Sequence, residues 1–279
     1  MGKTIAEKEL RTFLLHLRRE EKSPATVEKY IREAERFARW LDGREAGEVL
    51  AREYKAGLAE HRSAAGVNGA VAALNCLFAA LGWEECRLKN VKRQRSIFRD
   101  ESRELHQSEY RRLLEAAKRR NNQRLCLAMT AICATGIRVG ELRFFTAEAL
   151  RAGRVEVSNK GRTRTVLLPR PLQKQLLRYA AARRIHTGPV FVTRTGRPLD
   201  RSNIWREMKS LCAAAGVAES KVFPHSLRHL FARTYYALEK DLARLADILG
   251  HASVDTTRLY TMESGQAHRR QLERLKLML

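Results

Sequence analysis

LGHASVDTTRLY, residues 249–260, admits two readings. A histidine follows Leu-Gly, and a tyrosine comes nine positions later, behind a serine, an aspartate and two threonines. On the first reading His251 caps a helix and Tyr260 fills a core. On the second, both belong to an active site in which the tyrosine hydroxyl is itself the reagent. The rest of the chain decides between them.

Charge narrows the choice. Of 279 residues, 54 are Lys or Arg and 31 are Asp or Glu, a net charge of +23. An excess of that size repels itself unless a polyanion is the usual partner, so nucleic acid leads the candidates. Most of the excess is arginine, whose planar fork grips phosphate in a bidentate way that an ammonium group cannot. The five cysteines (76, 86, 126, 133 and 212) show no CxxC pairing. They read as small buried hydrophobes of a reducing compartment, implying neither disulfides nor zinc. No signal peptide opens the chain, and the apolar run LCLAMTAICATGI is too short to span a bilayer. The expectation is a cytoplasmic, nucleoid-associated protein with no membrane partner.

Two units emerge along the chain. In the first, TIAEKELRTFLLHLRREE has apolar residues at 10, 13, 14 and 17, which is helical spacing. Ser23-Pro24 starts a second helix, with Ser23 as N-cap and Pro24 at the first helical position. Two further helices fall near 49–62 and 67–81, the last rich in small residues that permit close packing. A charged stretch without apolar periodicity follows and reads as the linker. The second unit starts with a helix capped by Gln107 or Ser108 and continues with an apolar helix at 124–134. RVEVSNKGRTRTVLLP then alternates around Asn159-Lys160-Gly161, the pattern of a hairpin. GPVFVT (188–193) predicts a third strand. From about 202 onward the pattern is helical, broken at 216–225, 249–253 and 263–265. Residues 1–98 hold 19 basic and 14 acidic side chains, while 99–279 hold 35 and 17. Both units are therefore positive, which suits two lobes on one duplex.

Arg138, Lys160, His225, Arg228, His251 and Tyr260 are the candidates for chemistry. Singly, each has an ordinary structural role: Arg138 pairs with Glu141, Lys160 is a solvated turn residue, and HxxR puts two polar groups on one helical face. Together they solve one problem. Two arginines and an imidazole donor bind the non-bridging oxygens of a phosphodiester and stabilise its pentavalent transition state. A lysine protonates the leaving alkoxide, and a tyrosine hydroxyl attacks phosphorus to give a covalent phosphotyrosyl link. No ligand set suggests a metal, and no cofactor is expected.

ATGIRVGEL, SNKGR, PHSLRHLFA and LGHASVDTTRLY, in that order, resemble the tyrosine recombinase/integrase family over essentially the whole chain. The resemblance implies a mainly α fold with a small antiparallel β-sheet, arranged as a two-domain C-shaped DNA clamp. A helical core-binding domain would span 1–90, a linker 91–105 and a mixed α/β catalytic domain 106–279. It carries the catalytic roles to Arg138, Lys160, His225, Arg228, His251 and Tyr260, the last as nucleophile. It also implies double-stranded DNA with inverted-repeat core sites, a homotetrameric synapse, and strand exchange through a Holliday junction. The end of the chain, 263–279, would be a tail helix docking in trans, with Leu272, Leu275 and Leu279 on one face. An accessory or activator protein is a further candidate partner. Ser226 stands where many relatives have Asp. The first helix begins almost at Met1, which leaves no room for the extra N-terminal domain of many integrases and predicts a short Xer-type chain or a shortened one.

Three functions fit these residues: site-specific recombination (integration or excision of a mobile element, or Xer-type dimer resolution), type IB topoisomerase-like relaxation, and DNA binding without catalysis. The short first bundle and the tail after Tyr260 favour the first. The third would require a missing catalytic residue, and none is missing.

Overall fold

The computed structural model describes residues 3–92, 101–159, 162–251, 253–260 and 265–275. Its backbone divides into two compact units, Met1–Arg95 and Ser96–Leu279.

The first unit is a bundle of α1 (Glu7–Arg19), α2 (Pro24–Leu41), α3 (Glu48–His61) and α4 (Ala64–Leu81). The cap of α2 is the one the sequence predicts: the Ser23 side chain accepts from the Thr26 N–H, and Pro24 opens the helix. Phe13, Phe37, Leu74, Leu77 and Phe78 are fully buried at the centre. Truncating Phe37 to alanine would cost about 3–5 kcal/mol by the usual scale of buried aromatic deletions. By length and composition α4 is apolar enough to cross a membrane. Val67, Ala70, Val71, Ala73, Leu74, Leu77 and Phe78 are nonetheless buried in the bundle, so its apolar character serves this core. Two asparagines of α4 hold the chain beyond the bundle by paired bonds, Asn75 to Leu88 and Asn68 to Val91. Residues 88–91 therefore belong to the first unit although their sequence is charged and aperiodic. A side-chain amide mimics a strand partner there, which periodicity does not register.

The second unit contains α5 (Gln107–Arg119), α6 (Gln123–Thr135), a 3₁₀ turn (Val139–Phe144), α7 (Ala147–Ala152), β1 (Arg154–Asn159), β2 (Arg162–Leu167), α8 (Arg170–Ala182), α9 (Arg201–Ser210), α10 (Cys212–Ala215), α11 (Pro224–Glu239), α12 (Leu242–Leu249), α13 (Val254–Arg258) and α14 (Gly265–Arg274). The cap of α5 is His106, one residue ahead of the expected pair; its N–H donates to Glu109. Central α6 packs against α5, α8, α9 and α11, which is why its apolar residues run nearly all round it.

The fold is mainly α with one two-stranded antiparallel sheet, as the sequence predicts. In its register Val155 faces Val166, Val157 faces Arg164, and Asn159 faces Arg162. The third strand does not form. GPVFVT makes only single bridges, Thr146 to Pro189 and Val192 to Pro198. Val190 and Phe191 are both fully buried, yet no continuous ladder of backbone bonds forms along them. Their backbone groups instead bond singly, Val190 N–H to the Phe145 carbonyl and Leu199 N–H to that of Phe191.

At the other end of the unit, the helix expected to carry Tyr260 stops at Arg258, and Gly265 is the first residue of α14. Leu272 of α14 and Leu275 just beyond its end are 53% and 57% exposed. Leu279 lies outside the described residues.

Candidate active site

Arg228, in the second turn of α11, is 2% exposed. Its Nη1 donates to the Gly136 carbonyl at 2.5 Å and its Nη2 to the Leu249 carbonyl at 2.8 Å. These carbonyls end α6 and α12. Helix C-termini leave carbonyls unsatisfied and partly negative, so two helix ends hold the cation where a carboxylate would otherwise be needed. Gly136 and Gly250 make those ends possible, with φ of +67° and +64°. A Cβ on Gly136 would lie 2.4 Å from the Phe231 ring, and one on Gly250 would lie 2.7 Å from Arg164 Cδ. The glycines of ATG and LGH are thus required twice over, by backbone conformation and by space.

His251 emerges directly from the second of these turns. Its Nε2 lies 2.9 Å from Arg228 Nη2 and its Nδ1 lies 2.7 Å from Thr257 Oγ1. Burial and the charges of Arg228, Arg138 and Arg164 push its pKa down to about 4. The ring stacks on Tyr260, with centroids 6.0 Å apart and planes 16° from parallel. His229 approaches the same tyrosine edge-on at 5.1 Å. Burial first, then His225, Arg233 and Arg228, lower His229 to about 4, although the residue as a whole is exposed. Tyr260 also rests on the small cluster of Ala232, Leu245 and Leu249, together with Phe231, Tyr235 and Tyr236. Arg228 itself is lowered to about 10, by burial and then by Arg138, with the Tyr260 hydroxyl pulling the other way. It remains a cation at neutral pH.

Arg138 precedes the 3₁₀ turn. Its backbone N–H and Nη1 donate to Glu141 at 2.8 and 3.1 Å, and its Nη2 reaches the Gly250 carbonyl at 3.4 Å. Glu141 is 3% exposed and also takes both Nη groups of Arg164, at 3.1 and 2.7 Å. Burial alone would raise its carboxyl. The bonds from Arg164 and Arg138 outweigh that and hold it below the usual carboxylate range. His225, at the start of α11, is open to solvent on one side, yet crowding on the other and the charges of Arg201, Arg228 and Arg138 lower it.

The structure therefore brings Arg138, Arg228, His251 and Tyr260 into one cluster, with His225 inside the same field. Lys160 lies outside the described residues. Three participants escaped the sequence reading: Arg164, Thr257 and His229. Arg164 had a signal, since it shares the inward row of β2 with buried Val166, where an apolar side chain is the norm. Among the described residues, no group of three or more His, Cys, Asp or Glu could hold a metal ion.

A cluster of guanidinium groups over one buried carboxylate, with a tyrosine across an imidazole, is an anion site with a nucleophile at its edge. Residues 103–266 match the family model described as the phage integrase family. The chain belongs to the phage integrase family. As an integrase-family member it is an enzyme, a tyrosine-type site-specific recombinase. It is similar to tyrosine recombinase XerA of Pyrococcus furiosus, 28% identical over 99% of this chain and 96% of that one. Tyrosine recombinase XerD of Xanthomonas campestris pv. campestris is 36% identical over 48% of this chain and 46% of its own. The crystal structure of XerA recombinase matches with a TM-score of 0.53 at 27% identity, covering 98% of this chain and 99% of that one. A λ integrase tetramer bound to a Holliday junction matches with a TM-score of 0.72 at 19% identity, over 91% of this chain and 76% of that one, a likeness of fold. The topoisomerase and non-catalytic alternatives give way to recombination.

Proposed function

We propose that this integrase-family chain cleaves and rejoins DNA at a core site through a 3′-phosphotyrosyl intermediate, with Tyr260 as nucleophile. Arg138, Arg228, His225 and His251 bind the phosphate oxygens and stabilise the charge that builds on them. The Tyr260 oxygen attacks phosphorus as its proton passes to solvent, the phosphorus–5′-oxygen bond breaks, and Lys160 gives the departing oxygen a proton that solvent then replaces. The phosphodiester becomes a phosphotyrosine of similar energy, so a 5′-hydroxyl from another strand reverses the step without ATP. The observation that carries this reading is the contact series Arg228–His251–Tyr260 within one chain, which supports attack in cis. Other basic groups share the DNA backbone, consistent with the excess of cations.

Strand exchange needs four active sites, and the proposed assembly is a homotetramer on inverted-repeat sites. What supports it is α14 and the residue after it: exposed Leu272 and Leu275 are flanked by Arg269, Arg270 and Arg274. A helix of ten residues is marginal alone. Donated to the next copy, it would close head-to-tail contacts into a ring and tie each Tyr260 to its neighbour. Such an enzyme acts on DNA in the cytoplasm, with an accessory or activator protein as a further candidate partner.

The test is to trap the protein on a nicked suicide substrate library and sequence the attached strand. The expected product is a 3′-phosphotyrosyl linkage at one fixed position flanked by inverted repeats. A 5′ linkage, or attachment without a preferred position, contradicts the reading.

A further inference from the structure

Thr257 is fully buried on α13, midway along the stretch between His251 and Tyr260. Its Oγ1 lies 2.7 Å from His251 Nδ1, and its carbonyl accepts the Tyr260 N–H at 2.9 Å. The other ring nitrogen of His251 faces Arg228 Nη2. A guanidinium has donors and no lone pair to offer, so the nitrogen it meets at 2.9 Å presents a lone pair. A neutral ring then carries its proton on Nδ1 and donates it to the threonine hydroxyl.

The geometry points to Thr257 as a positioning residue for His251, whose hydroxyl keeps Nε2 aimed at the phosphate site. A hydroxyl both donates and accepts. It therefore pairs with Nδ1 whether that nitrogen bears a proton, as when Arg228 faces Nε2, or a lone pair, as when an Nε2–H faces a phosphate oxygen. No apolar side chain of the same shape offers this. Because the carbonyl of the same residue anchors the Tyr260 backbone, Thr257 also spaces the imidazole from the nucleophile. The inference rests on the assignment of His251 to the phosphate given above.

The test is single-turnover cleavage of a nicked suicide substrate by the full chain, with DNA affinity measured in parallel. His251→Ala comes first: cleavage at the wild-type rate would remove His251 from the chemistry and is a failure of the functional reading itself. With His251→Ala defective, Thr257→Val should cleave about tenfold or more slowly at unchanged affinity, the loss of one oriented hydrogen bond. Thr257→Ser should restore the rate to within about threefold, and Thr257→Val should add no further loss in the His251→Ala background. Thr257→Val at the wild-type rate, Thr257→Ser as slow as Thr257→Val, or an equal fractional loss without His251 each overturns the proposal. Side-chain ¹⁵N spectra of the DNA-free wild-type protein give a reading independent of any variant's folding. An Nδ1–H tautomer of His251 supports the assignment, and an Nε2–H tautomer overturns it.

Discussion

Arg228 Nη2 and His251 Nε2 lie 2.9 Å apart, so in the DNA-free protein two groups that would serve one phosphate oxygen satisfy each other. The guanidinium is fixed by two helix-end carbonyls and the imidazole by a buried hydroxyl. Both are aimed before any substrate arrives, which is how electrostatic stabilisation avoids reorganisation during the reaction.

That arrangement sets a pH dependence. His251 is depressed from 6.5 to about 4, so the folded state resists a proton that the unfolded chain accepts. Stability should therefore fall as pH drops from 6.5 toward 4 and level off below, since the unfolded state binds more protons only in that window. His229 contributes in the same sense and over the same range. An NMR titration should place the His251 midpoint near 4, and His251→Ala should flatten part of the slope. A midpoint at the ordinary histidine value would show that the ring is neither buried nor held among these arginines in solution.

The two helix-ending glycines give a graded prediction. Gly136→Ala pushes a methyl into the Phe231 ring and Gly250→Ala pushes one into the flexible Arg164 side chain. Both also force an L-residue into the left-handed region, which costs about 1–2 kcal/mol. Gly136→Ala should therefore lower the melting temperature more, because a packed ring yields less than the stem of an arginine. Gly250→Ala should cost less stability than Gly136→Ala but impair cleavage, since it displaces the turn that presents His251. Equal melting temperatures for the two variants would mean that the Phe231 wall gives way.

Much of this was legible in the sequence, and the exceptions share a cause. The helices of both units follow apolar spacing, and the hairpin follows its alternation. The grouping of Arg138, Arg228, His251 and Tyr260 was legible from motif order. GPVFVT misled because consecutive burial can be met by a loop whose backbone groups bond one at a time. The ties of Asn68 and Asn75 to Val91 and Leu88 were invisible because an asparagine on a helix carries no mark of a partner 23 or 13 residues away. Thr257 and Arg164 were missed for a related reason: their partners are set by tertiary structure, and a polar residue in an inward row was the only clue.

The tail yields a separate prediction. Because Leu272 and Leu275 are exposed in the single chain, deleting residues 266–279 should leave the melting temperature and single-site DNA binding nearly unchanged. It should abolish synapsis and strand exchange, read on gels as loss of the four-protomer complex. A truncated protein that recombines two sites at the full-length rate contradicts docking in trans.

The most direct test of the account is to map the covalent bond. The DNA-trapped protein should be digested with protease and nuclease, and the nucleotide-bearing peptide identified by mass spectrometry. The account predicts a single modified tyrosine, Tyr260, and no adduct from Tyr260→Phe, whose DNA affinity should be unchanged because only a hydroxyl is lost. An adduct on Tyr235 or Tyr236, or one that persists in Tyr260→Phe, would contradict it.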